Sequence, residues 1–182
     1  MRLISVPSTV FLLLFSTSCI VYPSNTPIYH SPAVYTPPSA SASASDFQSE
    51  FLRRINEVRA KGCTCGGTFM PPAPPLTWNT QLQYAALLHA RDMNKKKYFS
   101  HINREGKSSK DRILESGYSV KGYRSFTVGE NIAWGQRSIR EVMDGWIKSA
   151  GHCRNLMNRA YSEVGIAMEN YYWVQDFGGR VK

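Results

Sequence analysis

Apolar residues recur at helical spacing in several stretches of the chain and at strand spacing near its end. Phe47, Phe51, Ile55 and Val58 share one face of a helix starting at Ser45 or Asp46, where Ser45 and Gln48 form a capping-box pattern. Gly62 supplies its stop. A second helix follows Asn79 as cap, with Leu82, Ala85, Ala86, His89, Ala90 and Met93 along its inner side. His89 lies on that apolar stripe and reads as a hydrogen-bonded core histidine. A short third helix runs from Asp111 to Ser116 before Gly117, and residues 122–129 read as a loop. Glu130 to Trp134 is a short strand or irregular run. Ser138 and Glu141 form another capping box, followed by Ile139, Val142, Met143, Trp146 and Ile147 at spacings of three and four. Val164 to Met168 and Tyr171 to Phe177 read as two strands around a Glu169-Asn170 turn. Helices first and a hairpin last define an α+β fold, with helices packed on a small antiparallel sheet.

Composition changes the reading of the first 45 residues. Arg2, the apolar run from Val10 to Phe15 and the small residues before Cys19 make residues 1–19 an export signal. The run is far shorter than the roughly 20 residues a membrane-spanning helix needs. Two fates suit this leader: cleavage before Cys19, or lipidation of Cys19 as in bacterial lipoproteins, which would anchor the chain to a membrane. Either fate places the mature chain outside the cytoplasm, where disulfides persist. Residues 20–45, rich in Pro, Ser and Ala, form a tether, because such a composition buries too little apolar surface to offset its ordering entropy. Residues 46–182 are then the folded domain.

With Cys19 set aside, Cys63, Cys65 and Cys153 remain. Cys63 and Cys65, one residue apart, are too close to bridge each other without strain. The economical solution is one long-range bond from Cys153 to either Cys63 or Cys65. The prolines at 71, 72, 74 and 75 force an extended crossing after them. The formal charge of +9 is basic, but its Lys/Arg residues are scattered and no nucleic-acid motif accompanies them, so no specific nucleic acid is expected as a partner.

Three polar stretches carry the candidate chemistry: Tyr98-Phe99-Ser100-His101, Gly129-Glu130-Asn131-Ile132-Ala133, and Trp146 through Asn155 with His152 just past a helix end. They are expected to converge on one cleft. Two neutral imidazoles can ligate a divalent cation with coordination positions left over, and a carboxylate can orient one of them. Ser149, three residues before His152, suggests a nucleophile, but without a third member or oxyanion hole the pattern is weak.

Leu76-Thr77-Trp78-Asn79, Phe99-Ser100-His101, Gly129-Glu130-Asn131-Ile132-Ala133, Trp146-x-x-Ser149-x-Gly151-His152 and Tyr171-Tyr172-Trp173-Val174-Gln175-Asp176-Phe177 occur in an order that resembles the CAP (SCP) superfamily. That superfamily comprises cysteine-rich secretory proteins, antigen 5 and pathogenesis-related proteins. The chain is most similar to bacterial members with Cys-Gly-Gly early and Gly-His-Cys late. The resemblance covers about 46–177 and implies a three-layer α–β–α sandwich with a cavity lined by two histidines and two glutamates. It identifies His101, Glu130 and His152 with three of those four, and His101 and His152 as a pair able to bind zinc. The second family glutamate falls on Ser149, a departure that argues against catalysis; Glu163 is a weak candidate to replace the missing carboxylate. The resemblance also favours Cys65 as the partner of Cys153. It implies lipid or protein ligands, with a metal-dependent hydrolase of peptide or cell-envelope substrates as the alternative.

Overall fold

In the computed structural model of this chain, the residues described are 42–182, so the leader, Cys19, His30 and nearly all of the tether lie outside them. The elements in chain order are α1 (Ala42–Lys61), β1 (Cys63–Cys65), β2 (Thr68–Met70), β3 (Thr77–Trp78), α2 (Thr80–Lys96), α3 (Ser109–Glu115), β4 (Ser125–Trp134), α4 (Ile139–Lys148), α5 (Ala150–Met157), β5 (Glu163–Glu169) and β6 (Tyr172–Val181). Helix α1 thus starts four residues ahead of Asp46, and Ser45 lies inside it rather than at its cap. Alanine is the best helix former, so the Ser-Ala run lets the helix extend back into the expected tether.

One sheet, ordered β3-β5-β6-β4, forms the middle layer. Its β5-β6 and β6-β4 pairs are antiparallel, and two residues of β3 add a parallel edge. On one face Phe51 and Ile55 of α1, Val142, Met143 and Trp146 of α4 and Leu156 of α5 pack against Val164, Ile166, Trp173 and Phe177. On the other face Ala86, Ala90 and Met93 of α2 meet Ile132, Ala167 and Val174. Leu82 and Ala85 meet Ile113 of α3 and Tyr118 beside them. The alternation of a strand sends successive side chains to opposite faces, so β6 serves both cores at once. The three-layer sandwich is therefore observed.

The structure departs from the sequence reading in the stretch taken as a loop. β4 begins at Ser125, and its ten residues pair with β6 from Ser125↔Val181 to Trp134↔Tyr172. Gly129, the last residue of that expected loop, sits inside the strand, where an added Cβ would overlap the Tyr161 hydroxyl. The glycine serves a close approach. The region after α1 also differs, because Cys63–Cys65 and Thr68–Met70 make a small antiparallel hairpin. The extended Pro71–Pro75 crossing is as expected.

Arg59 was not foreseen as a structural residue. It is fully buried and donates to the carbonyls of Pro74, Leu156, Asn158 and Tyr161 at 2.6–3.2 Å. These bonds tie α1 to the proline crossing and to the end of α5, whose last carbonyls lack helical partners. Burial, then the Arg159 charge, lowers its pKa to about 10.

Candidate functional site

β4 is an edge strand, and alternate carbonyls of an edge strand point away from its one neighbour. Three of these are taken by side chains from the layer of α4 and α5. The Tyr161 hydroxyl donates to Val128 O at 3.4 Å, Asn155 Nδ2 to Glu130 O at 3.1 Å, and Trp146 Nε1 to Ile132 O at 3.4 Å. The edge is thereby closed to another strand, and α5 is fastened along it. Asn131 adds a bond from Nδ2 to the His152 carbonyl at 3.2 Å.

His152 does not lie beyond a helix end, as the sequence suggested; it occupies the first turn of α5. The expected helix running out before His152 is two helices, α4 and α5, meeting at Ser149. Ser149 has extended backbone (φ −82°, ψ 121°) and ends one helix while starting the next. Its amide donates to Gly145 O at 3.1 Å and its carbonyl accepts from Cys153 N at 2.8 Å, while its hydroxyl makes no cap bond. Among the described residues no hydrogen bond joins Ser149 to His152, so the geometry offers no activated serine. Burial, then the nearby His101 charge, lowers the His152 pKa below the usual 6.5. The lowered pKa favours the neutral ring, which has a lone pair to offer.

His101 approaches from the opposite helical layer. Lys97 ends α2 in the left-handed region, and the chain turns through Tyr98, which is buried and donates to Asp92. His89 is 1 % exposed and bonds the Ser100 carbonyl at 2.9 Å, the core role expected of it. One residue later, His101 Nδ1 donates to Glu130 Oε1 at 2.7 Å. The other Glu130 oxygen accepts from Arg112 at 2.6 Å. Arg112 also donates to the carbonyls of His101 and Lys107, both at 2.9 Å, so one guanidinium holds the carboxylate and the loop together. Arg112 and Glu130 are buried, whereas half of the His101 side chain is exposed.

Sequence reasoning missed Arg112 and Asp176. Arg112 precedes Ile113 on the short third helix, and an arginine on an inward stripe was the available signal. Asp176, the cross-strand partner of Glu130, is 1 % exposed, and its Oδ1 has no hydrogen-bond partner among the described residues. Burial, then the Glu130 charge, raises its pKa well above the carboxylate range. Two carboxyls this close resist ionising together.

Glu163 does not supply the missing carboxylate of the cleft. Its oxygens are held by Asn79 Nδ2 at 2.9 Å, the Tyr118 hydroxyl at 2.6 Å and Arg180 at 2.7 Å. A cavity of about 400 Å³ lined by Met70, Pro71, Arg154, Met157, Asn158 and Arg159 includes none of the histidines.

Imidazole nitrogens are of the type that ligates zinc. A carboxylate on Nδ1 fixes the His101 ring and leaves Nε2 as the ligand atom, the usual arrangement behind a metal-bound histidine. Burial favours the neutral form of His152, and no hydrogen bond to its ring is present among the described residues. The sulfur trio of Cys63, Cys65 and Cys153 is also compact, but two of its members are joined. The disulfide is Cys65–Cys153, linking β1 to α5.

A sandwich of this topology, with His101 held on Glu130 of β4 and the helix of His152 fastened along the same edge, is that of a CAP-type domain. The cysteine-rich secretory protein family (CAP) model matches residues 52–177, and the chain belongs to that family. It is 33% identical over 103 residues to the uncharacterized membrane protein YlbC of Bacillus subtilis, covering 56% of this chain and 28% of that protein. It is 30% identical over 147 residues to the uncharacterized protein YkwD of the same organism, covering 80% of this chain and 52% of that one. The chain thus spans about half or less of these relatives. An extracellular protein containing a SCP domain from Bacillus anthracis shares the fold with TM-score 0.57 and 23% identity, over 81% of this chain and 45% of that one.

Proposed function

We propose that this chain is an exported ligand-binding domain whose cleft at the β4 edge takes a divalent metal, zinc, through His101 and His152. The observation that carries this is the Arg112–Glu130–His101 chain of bonds, which orients one imidazole while leaving its outer nitrogen to solvent. Bound zinc would act as a Lewis acid and a fixed positive charge. The protein's part is to hold His101 by Glu130, hold Glu130 by Arg112, and keep His152 neutral. Both Glu130 oxygens are engaged, so the carboxylate is poorly placed to deprotonate a water, and this weighs against the hydrolase alternative. Phe99 and Ile102, both about half exposed, flank His101 and give the cleft an apolar rim suited to a lipid or protein ligand. Work outside the cytoplasm is supported by the leader, by the disulfide and by the extracellular relative. Lipidation of Cys19 would then tether the domain to a membrane.

Calorimetric titration with zinc tests the reading. The full chain should bind one zinc, and the His101→Ala, His152→Ala double variant should show no binding heat. Equal heats from the two proteins would overturn it.

A further inference from the structure

Three sulfurs lie together where the proposed cleft makes no use of them. Cys65 and Cys153 are bonded and almost fully buried. Cys63 is a thiol of intermediate exposure. Its Sγ is 3.5 Å from the Cys153 Sγ, close to van der Waals contact, and all three sulfurs lie within 4.8 Å of one another. Positions 63 and 65 alternate to the same face of β1, so both present sulfur to Cys153. A single disulfide with a third thiol in contact has two ways to pair.

We propose that Cys63, Cys65 and Cys153 form a thiol–disulfide exchange site, in which Cys63 displaces Cys65 from Cys153. The Cys63 thiolate attacks the Cys153 sulfur, and a Cys63–Cys153 bond forms as the Cys65–Cys153 bond breaks. The bonding electron pair leaves on the Cys65 sulfur, which takes the proton that Cys63 gave up to water. One disulfide and one thiol are present before and after, so no oxidant or reductant enters. With Cys63 Sγ 3.5 Å from Cys153 Sγ and no more than 4.8 Å from Cys65 Sγ, the array is bent, so Cys63 must swing in line before displacement. Exchange is accordingly on the slow scale of uncatalysed rearrangement, minutes to hours.

The exchange moves the thiol of this trio from a partly exposed position to a buried one, since Cys65 is 0 % exposed. It also changes which residue of β1 anchors α5 at Cys153, the residue after His152. The proposal rests on the sulfur geometry alone and does not depend on zinc.

The test is non-reducing peptide mapping of the full chain. Native protein is held in mildly alkaline buffer, sampled over a day, unfolded in acid and alkylated, and tandem mass spectrometry locates the label. A population labelled on Cys65 with Cys63 linked to Cys153, rising with time to about a tenth of chains or more, is expected for a slow exchange between similar pairings. Label confined to Cys63 at every time overturns the proposal. Cys65→Ser gives a second measurement. It should join Cys63 to Cys153 on air oxidation, and recovery of both as thiols overturns the proposal. Should Cys65→Ser fail to fold, the time course of the natural chain decides alone.

Discussion

The face of the sheet that meets α2 and α3 carries two glutamates in the same chemical dress and with different ends. Glu163 is met by Arg180, Tyr118 and Asn79, and Arg180 lies over the rings of Tyr118 and Tyr123 at 4.6 and 4.9 Å. Two donors of that group are also anchored elsewhere: Asn79 caps α2 and Arg180 bonds Ser119 O. Its cross-strand partner is Gly178, where an added Cβ would overlap the Tyr118 hydroxyl. Burial, then the bond to Glu163, raises the Tyr118 pKa above its usual value, so the hydroxyl stays a donor. Glu130 is likewise met by an arginine, but its second donor is a half-exposed histidine and its cross-strand partner is Asp176. The first arrangement is closed and fastens the fold. The second opens to solvent through a ring with a spare nitrogen. An Arg–Glu pair does not mark a site; what stands at its outer end does.

The largest expected effect separates the two arginines. Arg112→Met strips Glu130 of its buried counter-charge and frees the carbonyls of His101 and Lys107. Breaking a buried pair costs about 3–5 kcal/mol. At roughly 2–4 °C per kcal/mol for a domain of this size, the melting temperature should fall by about 10 °C. Zinc heats should vanish with it. Arg180→Met removes a pair that is about a fifth exposed and leaves Tyr118 and Asn79 on Glu163. It should cost roughly 1.5–3 kcal/mol, the scale of a hydrogen bond to a charged group, and leave zinc binding intact. Equal losses in the two variants would erase the distinction between closed and open.

How much of this was legible follows from what each residue answers to. The paired layers were readable because Phe51, Ile55, Val142, Met143 and Trp146 repeat with the helix period. The caps at Asn79 and Ser138 were readable because they satisfy local amides. His101, Glu130 and His152 were singled out through the ordered motifs, and the structure sets His101 on Glu130. β4 was misread because Gly129, a break in local grammar, answers to a tyrosine 32 positions later. Arg112, Asp176 and Arg59 were missed for the same reason. Their partners are distant carbonyls and a cross-strand carboxylate, and no local period encodes those.

Asp176 sharpens the comparison from the other side, since only the open arrangement holds a second carboxyl. Its pKa is raised in the fold, so from about 3.8 upward the native state binds more protons than the unfolded chain. Stability from this group is complete below that value and is lost as pH rises toward the folded pKa. Asp176→Asn removes the burden and should stabilise the protein by roughly 1 kcal/mol at neutral pH, within the usual range of single stabilising changes. The gain should shrink toward zero as urea melts are repeated down to pH 4. A gain constant across pH would mean that Asp176 does not titrate against Glu130.

The smallest effect on stability belongs to the residue with the largest expected effect on binding. His101→Ala deletes one bond to Glu130, as Tyr118→Phe deletes one bond to Glu163. At the closed arrangement, the Glu163 oxygen left behind is part-buried, and an unsatisfied acceptor shielded from water costs about 1–3 kcal/mol. At the open one, the His101 side chain is 53% exposed, so water can follow the ring out and solvate the Glu130 oxygen. His101→Ala should therefore cost under about 0.5 kcal/mol, as for ordinary surface substitutions, while abolishing the zinc heat. The two variants measured side by side, by urea melts and calorimetry, test the central contrast. A loss of 2 kcal/mol or more in His101→Ala, with zinc binding retained, would make His101 a structural tie like Tyr118 and leave the cleft without its ligand.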